Sequence, residues 1–240
     1  MQKVKLDRFV QKYNLNGQAE QVKWKSKDKK LSTSFITQDK SLLGKVTLDN
    51  FDFEETELGI YDTAQLKSLL GVLGDKITLD TLKMGDRAIS LKIKNEAVSV
   101  DFNLSDLSVI PEAPKMKHIP NFGTKIKIDS HFISNFVKGK SALSETDSFT
   151  ILQDRNNNVN VIIGYSSTNT NRVNIPVNTE SCDLVEPISF NAELFKEILI
   201  ANKECETATL EVSNEGLATI NFKVDDYDST YYMVAIKSVD

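Results

Sequence analysis

The sequence predicts an α+β protein made of two similar domains, each with two helices packed on antiparallel sheets. A short amphipathic helix at residues 6–13 is followed by a similar one at residues 132–137. A second helix with a polar residue at its start also occurs once in each half, and much of the remaining chain alternates polar and apolar residues. This repetition predicts two copies of one domain.

The first helix of each half is predicted from its apolar face. In the first half the apolar residues stand at i, i+3, i+4 and i+7, which is one face of a helix: Leu6, Phe9, Val10 and Tyr13. The second half has a similar face: Phe132, Ile133, Phe136 and Val137. Gly17 and Gly139 are predicted to end these helices.

The second helix of each half is predicted from its N-cap. Asp62 and Asn191 stand directly before helical runs, and their side-chain oxygens accept hydrogen bonds from free backbone N–H groups. The apolar positions then correspond in order: Leu66, Leu69 and Leu70 in the first half, and Phe195, Ile198 and Leu199 in the second.

The rest of each half is predicted to form about eight or nine strands with period-two alternation. Three of the five prolines, Pro111, Pro114 and Pro120, lie together near the middle of the chain. Proline removes a ladder donor and restricts the residue before it, so this stretch is predicted to be an extended connector. The predicted domains are residues 1–110 and 125–240, with the connector at 111–124.

The composition excludes some classes of protein. The 240 residues carry 29 basic and 34 acidic side chains, a net charge of −5, which opposes a surface that binds nucleic acid everywhere but permits a local basic surface. The absence of a long apolar run and of an apolar leader predicts a cytoplasmic protein. The two cysteines, Cys182 and Cys205, are too few for a disulfide framework, and they do not have the spacing of metal ligands.

No pattern predicts catalysis or a cofactor. There is no glycine-rich phosphate loop, and nothing resembles a nucleophile paired with its base. His118 and His131 lie in different regions of the chain. The acidic cluster at residues 225–228 is interpreted as a solvated turn on an acidic outer surface. We therefore predict a protein that is not an enzyme and binds no metal.

Three segments resemble those of a known family. Residues 58–73 are similar to the strand-to-helix entry into its second helix, and residues 161–165, followed by Arg172 and Val173, are similar to its second-domain hairpin. Residues 231–236 are similar to its C-terminal strand. The family is that of the DNA sliding clamps, including the eukaryotic proliferating cell nuclear antigen. The first two segments resemble those of the T-even-type bacteriophage clamps in particular.

The resemblance implies a function as well as a fold. A clamp subunit with two domains implies a homotrimeric, pseudo-sixfold ring that encircles duplex DNA and tethers the replicative DNA polymerase. A separate clamp loader would hydrolyse ATP. The phage clamps act in the cytoplasm of the bacterial host, in viral DNA replication and in late transcription.

The resemblance also implies that helices line the hole and contact phosphates without reading the bases, for which Lys and Arg are suited. On the first helix, Lys5, Arg8 and Lys12 border the apolar face and form a basic stripe. The predicted DNA-contacting residues are Lys5, Arg8, Lys12, Lys67, His131, Lys138, Lys140, Lys196 and Lys203. Ordinary solvated helix faces would give the same pattern, and the fourth helix, which also carries Glu193 and Glu197, fits it least.

A second predicted site receives a short apolar peptide of the polymerase or the loader, between the connector and the C-terminal strand. The predicted pocket residues are Leu42, Leu43, Ile110, Phe122, Tyr232 and Val234. Leu42 and Leu43 are placed in a loop. The alternative is that these residues only seal a domain junction.

Five lysines between residues 23 and 30 have two interpretations. They form either a basic hairpin edge that touches DNA or a solvated strand whose lysines discourage edge-to-edge pairing. Trp24 is predicted to pack in the core. For the whole chain the alternative function is a phage structural ring protein, of the tail or baseplate, built from duplicated β domains.

Overall fold

The structure is a computed structural model that describes residues 1–166, 168 and 170–236. The chain divides into two compact units. Unit 1 contains residues 1–38, 43–114 and 225–229, and unit 2 contains residues 39–42, 115–224 and the described residues from 230 onwards. Both units combine helices with antiparallel sheets, as the sequence predicts.

Unit 1 carries two helices and two sheets. The helices are α1 (Lys3–Asn14) and α2 (Thr63–Gly71). The strands are β1 (Val22–Lys27), β2 (Lys30–Ile36), β3 (Leu42–Leu48), β4 (Thr56–Ile60), β5 (Thr78–Met84), β6 (Arg87–Lys94) and β7 (Ser99–Asn103). The first residue of β3, Leu42, belongs to unit 2. The orders are β3-β2-β1-β4 and β5-β6-β7.

Unit 2 repeats this plan with more strands. Its helices are α3 (Ser130–Ala142) and α4 (Ala192–Ala201). The strands are β8 (Thr124–Asp129), β9 (Ser148–Gln153), β10 (Val159–Ile163), β11 (Val173–Val177), β12 (Thr179–Ser181), β13 (Ile188–Asn191), β14 (Thr207–Ser213) and β15 (Leu217–Val224), followed by β16 (Tyr227–Val234), whose first three residues belong to unit 1. One sheet has the order β11-β10-β9-β13, and the other contains β12-β8-β14-β15.

The two predicted N-caps are confirmed. The Asp62 carboxylate accepts a hydrogen bond from the N–H of Gln65 at 2.7 Å, and the Asn191 side-chain oxygen accepts one from Leu194 at 2.9 Å. Each cap satisfies a backbone donor that the first helical turn leaves free. These local contacts place α2 and α4 at equivalent points of the two units.

Aromatic clusters fill both cores. In unit 1, Phe9, Tyr13 and Trp24 meet edge to face, with ring centroids 5.6 to 6.3 Å apart, so the predicted packing of Trp24 is confirmed. Burial raises the pKa of Tyr13, which hydrogen-bonds Thr63. In unit 2 the corresponding cluster consists of Phe132, Phe136, Phe149, Phe190 and Phe195. Each cluster fixes its helix pair on a sheet.

Two details of the predicted fold are wrong. Gly139 does not end the third helix, because α3 continues to Ala142. A Cβ on Gly139 would lie 3.0 Å from Val173 Cγ1 and 3.1 Å from Ile163 Cδ1, so the glycine lets the helix approach the sheet closely. The second error concerns the first half, in which β1 to β7 are fewer strands than predicted.

Candidate nucleic-acid interface and docking surface

The basic stripe on α1 is paired with acidic residues of the turn between β15 and β16. Lys5 Nζ lies 2.6 Å from Asp226 Oδ2, and Arg8 Nη1 lies 2.8 Å from Asp225 Oδ2. The hydrogen bond from Lys5, and then one from Asn50, lower the pKa of the Asp226 carboxyl. The acidic cluster forms an exposed turn at Asp225, as predicted, but the carboxylates of Asp225 and Asp226 are also paired with cations of α1.

Lys12 is not available to a phosphate group in this structure. Its exposure is 0%, and its Nζ lies 5.3 Å from the centroid of the Tyr227 ring. The Arg8 guanidinium lies 4.8 Å from the same ring, so two cations face one aromatic side chain. Tyr227 also donates a hydrogen bond to the carbonyl of Lys5 at 2.8 Å. The predicted exposure of the basic stripe is thus confirmed only in part for Lys5 and Arg8, which are half-buried, and is wrong for Lys12.

The second helix of unit 1 offers one cation. Lys67 is exposed, and its Nζ donates a hydrogen bond to Asn14 Oδ1 at 3.2 Å. This weak partner leaves the ammonium group free to meet another acceptor. In unit 1, Lys67 is thus more accessible than the predicted residues of α1.

The third helix presents the clearest polar row. His131, Asn135 and Lys138 are exposed and stand at i, i+4 and i+7, so they share one face of α3. Within the described residues, Lys138 has no ion pair or side-chain hydrogen bond. An unpaired cation on an exposed helix face is what phosphate attraction requires.

Lys140, in contrast, is buried. Its Nζ donates to the carbonyl of Ser144 at 2.8 Å and lies 3.2 Å from Glu193 Oε2. The prediction placed Lys140 just beyond the helix, but α3 extends to Ala142 and directs this side chain toward α4. Lys140 is therefore a structural contact between two helices, and its contact with DNA stays a prediction that would require this contact to break.

The fourth helix carries a network of mixed charge. Lys196 contacts both Glu193 and Glu197, the latter at 3.3 Å. Burial raises the pKa of Glu193, but hydrogen bonds from Lys196 and Lys140 outweigh it, so the net direction is downward. Burial raises the pKa of Glu197. Lys203, in the turn after α4, is exposed, and it remains the best predicted phosphate contact of this segment.

The lysine-rich hairpin at residues 23–30 lies inside a sheet, and several of its lysines form ion pairs. Strand β1 pairs with β2 on one side and with β4 on the other, so β1 is not an edge strand, although its exposed lysines fit the predicted solvated strand and turn. Three of its lysines form ion pairs with carboxylates at 2.7 to 2.9 Å: Lys23 with Glu112, Lys25 with Glu57, and Lys30 with Asp49. Lys27 and Lys29 are exposed.

The predicted peptide-pocket residues differ in accessibility. Leu42 and Ile110 are buried in the core. The predicted loop at Leu42 and Leu43 is wrong, because both residues lie in β3. Leu42 and Ile110 could touch a peptide only after a rearrangement, so their place in a pocket stays a prediction. Leu43, Phe122 and Tyr232 are half-buried, and Val234 is 50% exposed.

Unit 2 also exposes apolar residues that sequence reasoning missed. Ile119, Val185 and Ile236 are exposed. The turn at residues 214–216 joins their three segments. The Asn214 side-chain oxygen accepts a hydrogen bond from the N–H of Val185 at 3.1 Å, and the Gly216 carbonyl accepts one from the N–H of Ala235 at 2.8 Å. Glu215 Oε2 lies 3.7 Å from His118 Nε2. No sequence motif marks this arrangement, because the contacts come from distant parts of the chain. We call Ile119, Phe122, Val185, Val234 and Ile236 the apolar patch.

The described part of the chain holds no cluster of three or more His, Cys, Asp or Glu side chains suited to a metal ion. Cys182 is half-buried and Cys205 is buried, and both are free. No helix in the described ranges combines the length and the apolar character needed to cross a bilayer.

Comparison with known proteins identifies the fold. No family model matches the chain, and no curated protein matches its sequence. The structure is similar to that of the proliferating cellular nuclear antigen from Entamoeba histolytica, with a TM-score of 0.75 and 17% identity over 99% of this chain and 97% of that chain. The predicted clamp fold is therefore confirmed: this chain has the α+β fold of the DNA clamps.

Proposed function

We propose that this chain is a sliding clamp, three copies of which form a ring around duplex DNA and tether a replicative DNA polymerase. The observation that carries the proposal is the clamp fold over nearly the whole chain, combined with the exposed row of His131, Asn135 and Lys138 on α3. Such a clamp acts without catalysis, and a separate loader supplies ATP hydrolysis.

DNA contact in this proposal is weak and independent of sequence. Of the predicted residues, Lys138, His131, Lys67 and Lys203 are accessible, whereas Lys5, Arg8 and Lys196 are engaged with carboxylates. A few phosphate contacts give a low, salt-sensitive affinity, which permits sliding. Retention then depends on closure of the ring, and the acidic total charge disfavours DNA on the outer surface.

Ring assembly requires complementary edges on each copy. Among the described strands, β7 ends one sheet of unit 1 and β11 ends one sheet of unit 2, each with its outer edge unpaired. Strand β11 contains Pro176, a residue that sheets tolerate mainly at edges. Pairing β7 of one copy with β11 of the next gives a head-to-tail interface that closes with three copies. We further propose that the subunit consists of two domains, residues 1–110 and 125–240, joined by a connector at residues 111–124.

The apolar patch of unit 2 is the proposed docking surface for the polymerase and the loader. Val234 ends β16, Ile236 follows two residues later, and Phe122 lies in the predicted connector. A short peptide with apolar anchors would bury these exposed side chains. The proposed setting is viral DNA replication, with a further role in late transcription, in the cytoplasm of a bacterial host of a T-even-type phage.

The native mass of the full chain tests the assembly. Sedimentation equilibrium up to tens of micromolar should show a species of three times 26.9 kDa, which is about 81 kDa. A strict monomer would contradict the proposal, because one chain cannot encircle a duplex.

Charge reversal tests the DNA contact. Lys138→Glu should lower both duplex affinity and polymerase stimulation without changing the mass. Lys127→Glu, which makes the same charge change at an exposed residue of β8, is the matched control. Equal losses in the two variants would point to net charge and would contradict a specific role for α3.

A further inference from the structure

We propose that the outer edge of β5 binds an extended, basic segment of a partner protein, which joins the sheet as an additional strand. This sheet edge takes part in neither the proposed subunit pairing nor the proposed DNA contact. Strand addition at β5 is therefore independent of whether the chain forms a ring.

The edge of β5 is open where its counterpart in unit 2 is covered. Strand β14, which follows α4 as β5 follows α2, pairs along its outer edge with β8 from Thr207 to Val212. In unit 1 the N-terminal residues pair with the segment before β5, where Gln2 bridges Lys76 and Met1 bonds Ile77. From Thr78 to Met84, no other described strand lies beside this edge.

The backbone of β5 is oriented to accept a strand. Ile77 exchanges two hydrogen bonds with Met1, at 2.8 and 3.0 Å, so its backbone groups point away from β6. Alternate residues of a strand point their groups to the same side, which directs those of Leu79 and Thr81 to the open edge. The Thr81 N–H accordingly donates to the Asp80 carboxylate at 2.9 Å instead of to β6.

The groove beside this edge is acidic with an apolar floor. It is lined by residues 52–54 together with Leu79, Asp80, Thr81 and Lys83. Asp52, Glu54 and Asp80 supply three carboxylates against the single ammonium of Lys83, which contacts Glu54.

The floor of the groove and the end of the strand supply apolar surface. Phe53 and Leu79 are half-buried. Farther along the strand, Leu82 and Met84 are 60% and 69% exposed. Such side chains on an open edge favour association with another chain.

The charges select the occupant. An added strand gains affinity from backbone hydrogen bonds and specificity from alternate side chains, which here would meet carboxylates and the rings of the floor. A segment that alternates Lys or Arg with aliphatic residues fits this surface. A second copy of this chain fits it poorly, because edge-to-edge pairing would bring the two Asp80 carboxylates and their acidic neighbours together.

Peptide titration monitored by backbone amide NMR tests the proposal with the full chain. The probes are two octapeptides, one alternating Lys with Val and the other alternating Glu with Val. The Lys/Val peptide should shift the amides of residues 79–83 saturably and slow their hydrogen exchange. The Glu/Val peptide should produce at least tenfold weaker effects at the same concentrations.

Two variants of one residue separate the edge from general charge attraction. Thr81→Pro removes an outward N–H that β6 does not use, so the fold is retained while strand addition is blocked. Thr81→Val keeps the N–H and, like Thr81→Pro, loses the hydroxyl that donates to Glu54, so it should still bind and isolates the effect of the backbone N–H. Circular dichroism checks the fold of both variants. Binding that is unchanged in Thr81→Pro, equal for the two peptides, or located away from β5 would overturn the proposal. The proposal would also be overturned if the protein self-associated without peptide and Thr81→Pro abolished that self-association. A second copy of the chain would then be the occupant of the edge.

Discussion

The guanidinium of Arg8 donates to the carboxylate of Asp225 at 2.8 Å, so a predicted DNA contact on α1 already holds an anion from the β15–β16 turn. The adjacent pair of Lys5 and Asp226 repeats the arrangement at 2.6 Å. A phosphate group would have to compete with these carboxylates for both cations. The acidic turn therefore weakens the attraction of α1 for DNA.

Removing the two carboxylates is predicted to strengthen duplex binding. The double variant Asp225→Asn and Asp226→Asn frees Lys5 and Arg8 for up to two more phosphate contacts. The slope of log affinity against log salt should become steeper by about 1 to 2, since each contact contributes roughly 0.9. Fluorescence anisotropy at several salt concentrations measures the slope.

The control for that variant is Asp75→Asn with Glu96→Gln, which changes the net charge equally at exposed residues of unit 1. It should raise affinity slightly and leave the slope nearly unchanged. If both double variants steepen the slope alike, Lys5 and Arg8 do not contact DNA.

Gly139→Ala is predicted to destabilise unit 2. The added methyl would lie 3.0 Å from Val173 Cγ1, and β-branched Val173 moves little. Overpacking of about 1 to 3 kcal/mol exceeds the gain of about 1 kcal/mol in helix propensity. Urea unfolding should show a net loss of about 1 kcal/mol. Gly71→Ala in α2, where nothing lies within 4 Å of the new Cβ, should be neutral or stabilising.

The charge network of α4 predicts a pH dependence of stability. The pKa of Glu193 is lowered in the folded protein, although burial alone would raise it, because Lys196 and Lys140 bond its ionised form. A depressed folded pKa contributes stability above the unfolded value of about 4.3, and this contribution is lost as the pH falls through the folded pKa.

Glu193→Gln should therefore be less stable than the wild type near neutral pH and approach it below pH about 4. Thermal unfolding across this range measures the difference. Glu186→Gln, at an exposed residue, should parallel the wild type at every pH. A constant gap for Glu193→Gln would show that its loss is steric and not electrostatic.

The proposed docking surface predicts a separation of functions. Val234→Glu with Ile236→Glu places charge on two exposed apolar residues, which should abolish most polymerase stimulation while mass and DNA binding persist. Val98→Glu, at an exposed apolar residue of unit 1, is the control and should stimulate normally. Stimulation that survives the double variant would place partner docking elsewhere.

Local patterns predicted the secondary structure well because their causes are local. The caps at Asp62 and Asn191 and the apolar spacing of α1 act within one or two helical turns. The end of α3 was missed because Gly139 serves packing against Val173, which the helix sequence alone does not show.

The candidate site was less predictable because its partners are distant in sequence. In the sequence, Lys12 and Lys140 have the pattern of solvated lysines. In the fold, Lys12 lies against the Tyr227 ring and Lys140 pairs with Glu193. The exposure of Lys138 was predictable, since its helix face has no apolar residue to bury. Whether these residues contact DNA stays a prediction.

Topological retention on DNA tests the proposed encirclement most directly. A linear duplex is anchored to beads at one end, and its free end is capped with streptavidin either before or after the protein is added. After a high-salt wash, a ring should remain only when capping follows the protein, and cutting the duplex should release it. Encirclement would be contradicted if the protein were retained equally whether the end was capped before or after its addition. It would also be contradicted if no protein were retained at concentrations at which the trimer forms.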